Sequence, residues 1–322
     1  MKKVRLGLIG AGEIARKHLE VIKAIDWIEA VGITSRTRSK ALALADEYGM
    51  TVCADDVDGL VREAKPDGLM VLVSIDQTYK VVSEAVRYNL PLFIEKPAGL
   101  TPEENKNLAD LAQKNSISSM VGFNRRFYSV FRKGIEIIKN SGPLLGVLVE
   151  GHERMWLRAD KLEENIRSKW VFANSVHTID LIRFFGGEVR DIKSIAHRYV
   201  EKNGDQFASV MELESGAIGH YISHWYSPGG WRVVLYGDGV TVEFKPLEQG
   251  SWMDRDFKIH EILPDECDTR FKAGFFMQME AFGNLILSGK KEWPVQDLNG
   301  AYRTMSLTQQ VAQLEGKKKH GI

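Results

Sequence analysis

The chain has 322 residues but only two cysteines, Cys53 and Cys267. That is too few, and too widely spaced, for a disulfide framework or a zinc site, and it points to a reducing, cytoplasmic compartment. Excess charge is missing too: lysine plus arginine and aspartate plus glutamate each count 43. No net field therefore draws the protein to nucleic acid or to an anionic membrane surface. Beyond the amino-terminal segment, the apolar run Gly68 to Val73 falls far below the ~18 residues of a membrane helix. The opening Met1-Lys2-Lys3 followed by Val4 to Ile9 imitates a signal peptide, but it gives way at once to Glu13, Arg16 and Lys17 and is read as a first strand. Internal repeats and low-complexity segments are absent as well. What these absences leave is a two-domain globular protein with a small-molecule partner.

The first third alternates strands and helices. Strands are expected at Val4–Ile9, Ile28–Thr34, Val52–Ala54, Gly68–Ser74, Pro91–Ile94 and Ser118–Gly122. Helices are expected between them, at Ile14–Ala24, Ser39–Tyr48, Val57–Glu63, Tyr79–Tyr88 and Pro102–Lys114. Such alternation implies an α/β domain with a doubly wound parallel sheet and ligands at the carboxyl ends of its strands.

From Asn124 the pattern changes to α+β. A helix at Val130–Lys139 precedes long alternating strands at Val147–Trp156, Ile192–Val200, Ala208–Leu213, Ile218–Tyr226, Arg232–Tyr236 and Thr241–Phe244, which imply a large, open, mainly antiparallel sheet. One helix, Asn174–Phe185, interrupts it. Helices Phe276–Leu287 and Leu298–Leu314 follow, and Lys317–Lys319 reads as a solvated tail. The expected domains are 1–123 for dinucleotide binding and 124–322 for substrate binding and assembly, with the last helices free to pack back on the first domain. A broad sheet with one uncovered face suits a homodimer or homotetramer.

The chemistry starts at Gly10-Ala11-Gly12, between the first strand and the helix that Glu13 and Ile14 open. Glycines there let backbone approach a pyrophosphate, and the helix end offers free amides and a positive dipole. The second strand ends Thr34-Ser35-Arg36-Thr37-Arg38, without the acid that binds ribose hydroxyls in a dedicated NAD site. Ser35, with Arg36 or Arg38, can hold a 2′-phosphate, so NADP is expected ahead of NAD. Ser74, at the end of the strongest strand, also faces the cofactor. Lys96 follows Leu92-Phe93-Ile94-Glu95 at another carboxyl end, and Pro97 fixes the backbone beyond it. A partly desolvated amine there can exchange a proton with a substrate hydroxyl.

On these residues the sequence resembles the Gfo/Idh/MocA group, typified by glucose-fructose oxidoreductase and inositol dehydrogenase. The resemblance covers the glycine turn, Glu95-Lys96-Pro97, Gly122-Phe123-Asn124-Arg125-Arg126-Phe127, His177-Thr178-Ile179-Asp180-Leu181, and the closing Met279-Glu280-Ala281-Phe282 with Trp293-Pro294-Val295. It implies an amino-terminal Rossmann domain and a nicotinamide enzyme acting on a sugar, sugar-nucleotide or cyclitol hydroxyl or ketone. Lys96 takes the family's lysine position, Glu95 helps hold the nicotinamide ribose, and His177 acts as acid/base or orients the substrate. Asn174, His177 and Asp180 share one helical face, which gives a hydrogen-bonding ridge for substrate.

Ala173 departs from the pattern, standing where many members carry an aspartate. It leaves room for another class of function, a dinucleotide-sensing regulatory protein without turnover. No metal site is expected. His220 and His224 lie about 13 Å apart along a strand and cannot share an ion. His152, Arg154 and Trp156, alternating along the expected strand, share a face that suits either a sugar pocket or a subunit contact.

Overall fold

A computed structural model describes residues 3–314 and divides into two compact units. The first contains the chain up to Phe127 together with Glu266–Tyr302, and the second contains Tyr128–Asp265 together with the chain from Arg303 onward. The change of unit falls after Phe127, and the segment 266–302 joins the first unit. The expected lysine tail lies outside the described residues.

Six strands build the first unit: β1 (Val4–Ile9), β2 (Ile28–Thr34), β3 (Val52–Ala54), β4 (Gly68–Val71), β5 (Leu92–Ile94) and β6 (Ser119–Val121). They pair in parallel in the order β3-β2-β1-β4-β5-β6. The order reverses between β1 and β4, so the crevice for a ligand opens where Ile9 and Val71, paired across these strands, reach their carboxyl ends. Leu6, Leu8, Met70 and Phe93 are fully buried in this sheet. Residues of the returning helix Phe275–Ser288 close over them, with Phe282 meeting Phe93 edge-on at 5.6 Å. Gly283 lets that helix lie close, because a Cβ there would come within 2.5 Å of the Trp27 ring.

The second unit has an eight-stranded sheet in the order β14-β13-β12-β11-β7-β10-β9-β8. Its strands are β7 (Leu144–Gly151), β8 (Val189–His197), β9 (Gln206–Leu213), β10 (Ile218–His224), β11 (Trp231–Gly237), β12 (Val240–Phe244), β13 (Gly250–Met253) and β14 (Ile259–Ile262). All pairings are antiparallel except that of β7 with β10. The sequence pattern missed the short β13 and β14. Along β9, buried and exposed positions alternate cleanly, as in a sheet with one face packed and one open. On the open side Ile195 is 62% exposed, Val210 53% and Ile218 52%.

Two elements near the site differ from expectation. Strand β7 ends at Gly151, and Met155–Leu157 form a 3-10 turn, so His152, Arg154 and Trp156 share no strand face. Instead His152 stacks on His224 at 5.8 Å, and its Nδ1 accepts the backbone N–H of His224. The expected helix from Asn174 is a π-helical turn, Val171–Ser175, continued by the α-helix Val176–Gly186. A π-turn of this kind shifts the side chains before it relative to those after it, and such turns gather at functional sites.

Candidate active site

In the first unit, a cavity of about 480 Å³ lies at the carboxyl ends of β1, β2 and β4. Gly10, Ala11 and Gly12 form one wall, Thr34 to Thr37 and Lys40 a second, and Leu72 to Ser74 with Gln77 a third. The two glycines act differently. Gly10 adopts φ +115°, and a Cβ on it would come within 2.4 Å of the Leu72 carbonyl oxygen, so glycine is demanded by the fold itself. A Cβ on Gly12 would meet nothing within 4 Å. The backbone there faces open space, as it must if a pyrophosphate is to approach. Gly12 also caps helix Glu13–Ile22, and no side chain satisfies the amides of the first turn. The arrangement fits a dinucleotide: open backbone, free amides and a positive helix end.

Of the other cofactor residues expected from the sequence, Ser35, Arg36 and Ser74 line the cavity. Arg38, Glu13 and Ile14 do not. The Arg38 guanidinium instead pairs with Asp55, Glu13 is exposed on the helix, and Ile14 packs against the core. Two polar residues that sequence reasoning passed over, Lys40 and Gln77, line the cavity instead. Lys40 lies four residues beyond Arg36, in helix Arg38–Tyr48, and that spacing was the available signal. Beside the cavity, hydrogen bonds from Gln77 and Ser74 hold the Asp76 carboxyl below its ordinary range, with the Arg36 charge adding to the effect.

Lys96 stands just past β5, is half-buried, and is followed by a cis bond to Pro97. Glu95 makes two contacts within the protein. One of its oxygens is 3.0 Å from His18 Nε2, and the other accepts the backbone N–H of Lys96 at 3.2 Å. Its carboxylate is engaged with the protein and shapes the loop that carries Lys96.

In the second unit, His177 lies one residue into helix Val176–Gly186, 4% exposed, with its ring 6.1 Å from that of Trp231. Asp180 does not extend a substrate ridge. It is 1% exposed, accepts the Thr304 hydroxyl at 2.8 Å and faces the Arg183 guanidinium at 3.8 Å. Arg183 in turn donates to Glu188 at 3.0 and 2.5 Å. This is an internal network that fastens the helix.

Asn174 is the member of the π-turn that keeps solvent access. Its Nδ2 donates to both oxygens of Glu153, at 3.0 and 2.9 Å, and the Ser175 hydroxyl adds a third bond at 3.0 Å. Glu153 is 4% exposed, and burial pushes its carboxyl above the ordinary glutamate range against the pull of these donors. Sequence reading missed it. Its signal was an acid alternating with Gly151 and Met155, on what a continued strand would make the inward face.

With the residues of each unit described, similarity to known proteins is informative. Residues 4–123 match the family described as oxidoreductase family, NAD-binding Rossmann fold, and residues 149–243 match the GFO/IDH/MocA C-terminal domain. The chain belongs to the Gfo/Idh/MocA family. It is therefore a nicotinamide-dependent oxidoreductase. It is 22% identical to scyllo-inositol 2-dehydrogenase (NAD(+)) of Bacillus subtilis, across 89% of this chain and 87% of that protein. It is 25% identical to myo-inositol 2-dehydrogenase of Thermotoga maritima, across 89% and 86%. Among solved structures, UDP-N-acetylglucosamine 3-dehydrogenase of Acidithiobacillus ferrooxidans superposes with a TM-score of 0.77 at 19% identity, over 97% of this chain and 98% of that one. In this Gfo/Idh/MocA member the glycine turn directly follows β1, and Glu95 and Lys96 directly follow β5. Among the described residues no helix is long and apolar enough to cross a membrane.

Proposed function

We propose that the protein moves a hydride between a nicotinamide cofactor, NADP ahead of NAD, and a CH–OH carbon of a sugar, sugar nucleotide or cyclitol. The observation that supports this most is the open backbone of Gly12 above an uncapped helix end, in the same unit as a lysine at the carboxyl end of β5. The relatives named above are dehydrogenases of inositols and of UDP-N-acetylglucosamine, which points to a polyhydroxylated ring. Bound nicotinamide supplies the hydride acceptor in oxidation and the donor in reduction. In oxidation the carbon-bound hydrogen leaves with its electron pair, while the hydroxyl proton passes to the Lys96 amine or the His177 imidazole; reduction returns both. A group that holds the hydroxyl without moving its proton would lower KM more than it raises kcat.

For NADP, the support is the pairing of Ser35 and Arg36 with Lys40 on one wall, while the nearby acid Asp55 is matched by Arg38. We place the protein in the cytoplasm, as a homodimer or homotetramer built on the open sheet face. Its exposed Ile195, Val210 and Ile218 motivate that assignment. Sedimentation of a Val210→Lys, Ile218→Lys variant checks it: the assembly should shift to monomer, and an unchanged particle refutes the interface.

The activity test is turnover with NADP or NAD on a panel of D-glucose, myo-inositol and UDP-N-acetylglucosamine. Lys96→Ala should lose at least about a hundredfold in kcat, the usual reach of a proton-transfer group. Undiminished turnover in that variant would defeat the chemistry. Tight dinucleotide binding with no turnover by the wild type would favour the regulatory reading that Ala173 leaves open. Arg36→Ala should weaken NADP at least tenfold more than NAD, and equal weakening refutes the preference.

A further inference from the structure

Between Val171 and Asp180 every residue is buried except Asn174. Its amide has two orientations that fill the same space, with NH2 and carbonyl oxygen exchanged. Glu153 decides between them. An ionised carboxylate has lone pairs and no proton, so it can face Nδ2 but not Oδ1. Both Glu153 oxygens lie within hydrogen-bond distance of Nδ2, and the Ser175 hydroxyl fixes the carboxylate from the next residue. Among the described residues no hydrogen bond is made to Asn174 Oδ1. That oxygen is thus directed away from Glu153, on the one part-exposed side chain of the turn that leads into His177.

We infer that Glu153 is a specificity-determining positioning residue: by holding the NH2 of Asn174 it fixes Oδ1 as an acceptor, which selects a substrate with a hydrogen-bond donor, a hydroxyl, at that point. A keto or ether oxygen there would meet a lone pair and be rejected, a discrimination that polar sites achieve far better than apolar ones. The hydroxyl's identity rests on the function proposed above; the amide lock does not.

Charge around Glu153 makes the lock sensitive to pH. Arg158 is the cation whose field favours the ionised form, Ser175, Asn174 and Trp170 face the carboxyl, and the buried Tyr221 hydroxyl feels its charge. Burial outweighs these, so the carboxyl takes up a proton above the ordinary glutamate range. Once protonated it can donate, and Asn174 is free to turn.

Two arms test the inference on the full-length protein. In the first, asparagine is labelled with nitrogen-15 and the Asn174 NH2 signals are assigned by their loss in Asn174→Asp. In the wild type they should shift as pH is lowered, with a midpoint above that of an ordinary glutamate, and in Glu153→Gln the shift should vanish. Asn174 NH2 signals that are the same in wild type and Glu153→Gln at neutral pH overturn the lock, with Glu153→Asp taking its place should Glu153→Gln fail to fold; a wild-type pair indifferent to pH overturns the pH sensitivity. In the second arm, myo-inositol, D-glucose and UDP-N-acetylglucosamine are the probes. For whichever is oxidised, Glu153→Gln should raise KM about tenfold, the worth of one good polar contact, with kcat moved less and dinucleotide affinity unchanged. An unchanged KM overturns the specificity role. If the wild type oxidises none of the probes, the proposed function fails, and the amide signals alone decide the lock.

Discussion

His18 Nε2 lies 3.0 Å from Oε1 of Glu95, joining the helix after the glycine turn to the strand end that carries Lys96. The imidazole is completely buried, stacked on Phe275 at 4.6 Å and met edge-on by Phe93 at 5.0 Å. Glu95 passes the restraint on, since its second oxygen accepts the Lys96 backbone N–H and its carboxylate lies over Gly122, where a Cβ would sit 3.2 Å from it. The helix after the glycine turn and the Lys96 backbone of the first unit are therefore held by one carboxylate.

Removing that donor should be felt twice. His18→Leu keeps the apolar contacts and leaves the Glu95 carboxylate short of a partner, which costs about 1–3 kcal/mol. We expect a melting temperature several degrees lower, together with reduced turnover because the Lys96 loop is no longer fixed. His18→Gln retains a donor and should recover most of both. Equal melting of the Leu and Gln variants would mean that the hydrogen bond does not hold the loop.

The two glycines of the turn should separate folding from binding. At Gly10 an alanine combines φ +115° with a Cβ 2.4 Å from a backbone oxygen, and backbone cannot move aside cheaply. Gly10→Ala should cost about 2–4 kcal/mol, strain and overpacking together, and express poorly. Gly12→Ala meets no protein atom and should melt like the wild type, while losing at least about tenfold in dinucleotide affinity. Thermal melts and fluorescence titration with NADPH check both; a Gly12→Ala protein that binds normally refutes the cradle.

The sequence made the first unit legible because β-α-β alternation, glycine spacing and apolar strand ends are local signals, and the parallel sheet follows from them. Asp180 and Arg38 show where such signals stop. Each has the right chemistry at the right spacing, yet each is engaged elsewhere, by Thr304 and Arg183 in one case and Asp55 in the other. Thr304 lies 124 residues from Asp180, and no periodicity reports a partner so distant. Glu153 was hidden for a related reason: its donors come from the π-turn, whose extra residue is invisible to a 3.6-residue pattern.

Asp180 consequently belongs to the helix's fastening. Asp180→Ala removes the acceptor of Thr304 and the carboxylate facing Arg183 in a site 1% exposed. Breaking a buried pair from one side costs about 3–5 kcal/mol, tempered here because Glu188 still holds Arg183. The variant should unfold at clearly lower denaturant concentration, with KM unchanged where it remains folded. A raised KM with normal stability would return Asp180 to the substrate.

Glu153 should also leave a signature in stability against pH. Its carboxyl is raised in the folded protein by burial, so over the range between the ordinary glutamate value and the raised one the folded state binds more protons than the unfolded state. Stability from this residue therefore increases as pH falls through that range and levels off below it. His152 acts oppositely: burial lowers its pKa, so stability is lost as pH falls below the ordinary histidine value. The raw curve mixes the two, and the informative quantity is the unfolding free energy of wild type minus that of Glu153→Gln, measured by urea denaturation at a series of pH values. Glutamine cannot titrate, and His152 is common to both proteins. The difference should move in favour of the wild type on acidification from neutral pH and become flat below the ordinary glutamate range. A difference that stays constant, or moves the other way, would mean that the Glu153 carboxyl is not raised and that Asn174 and Ser175 hold it ionised throughout.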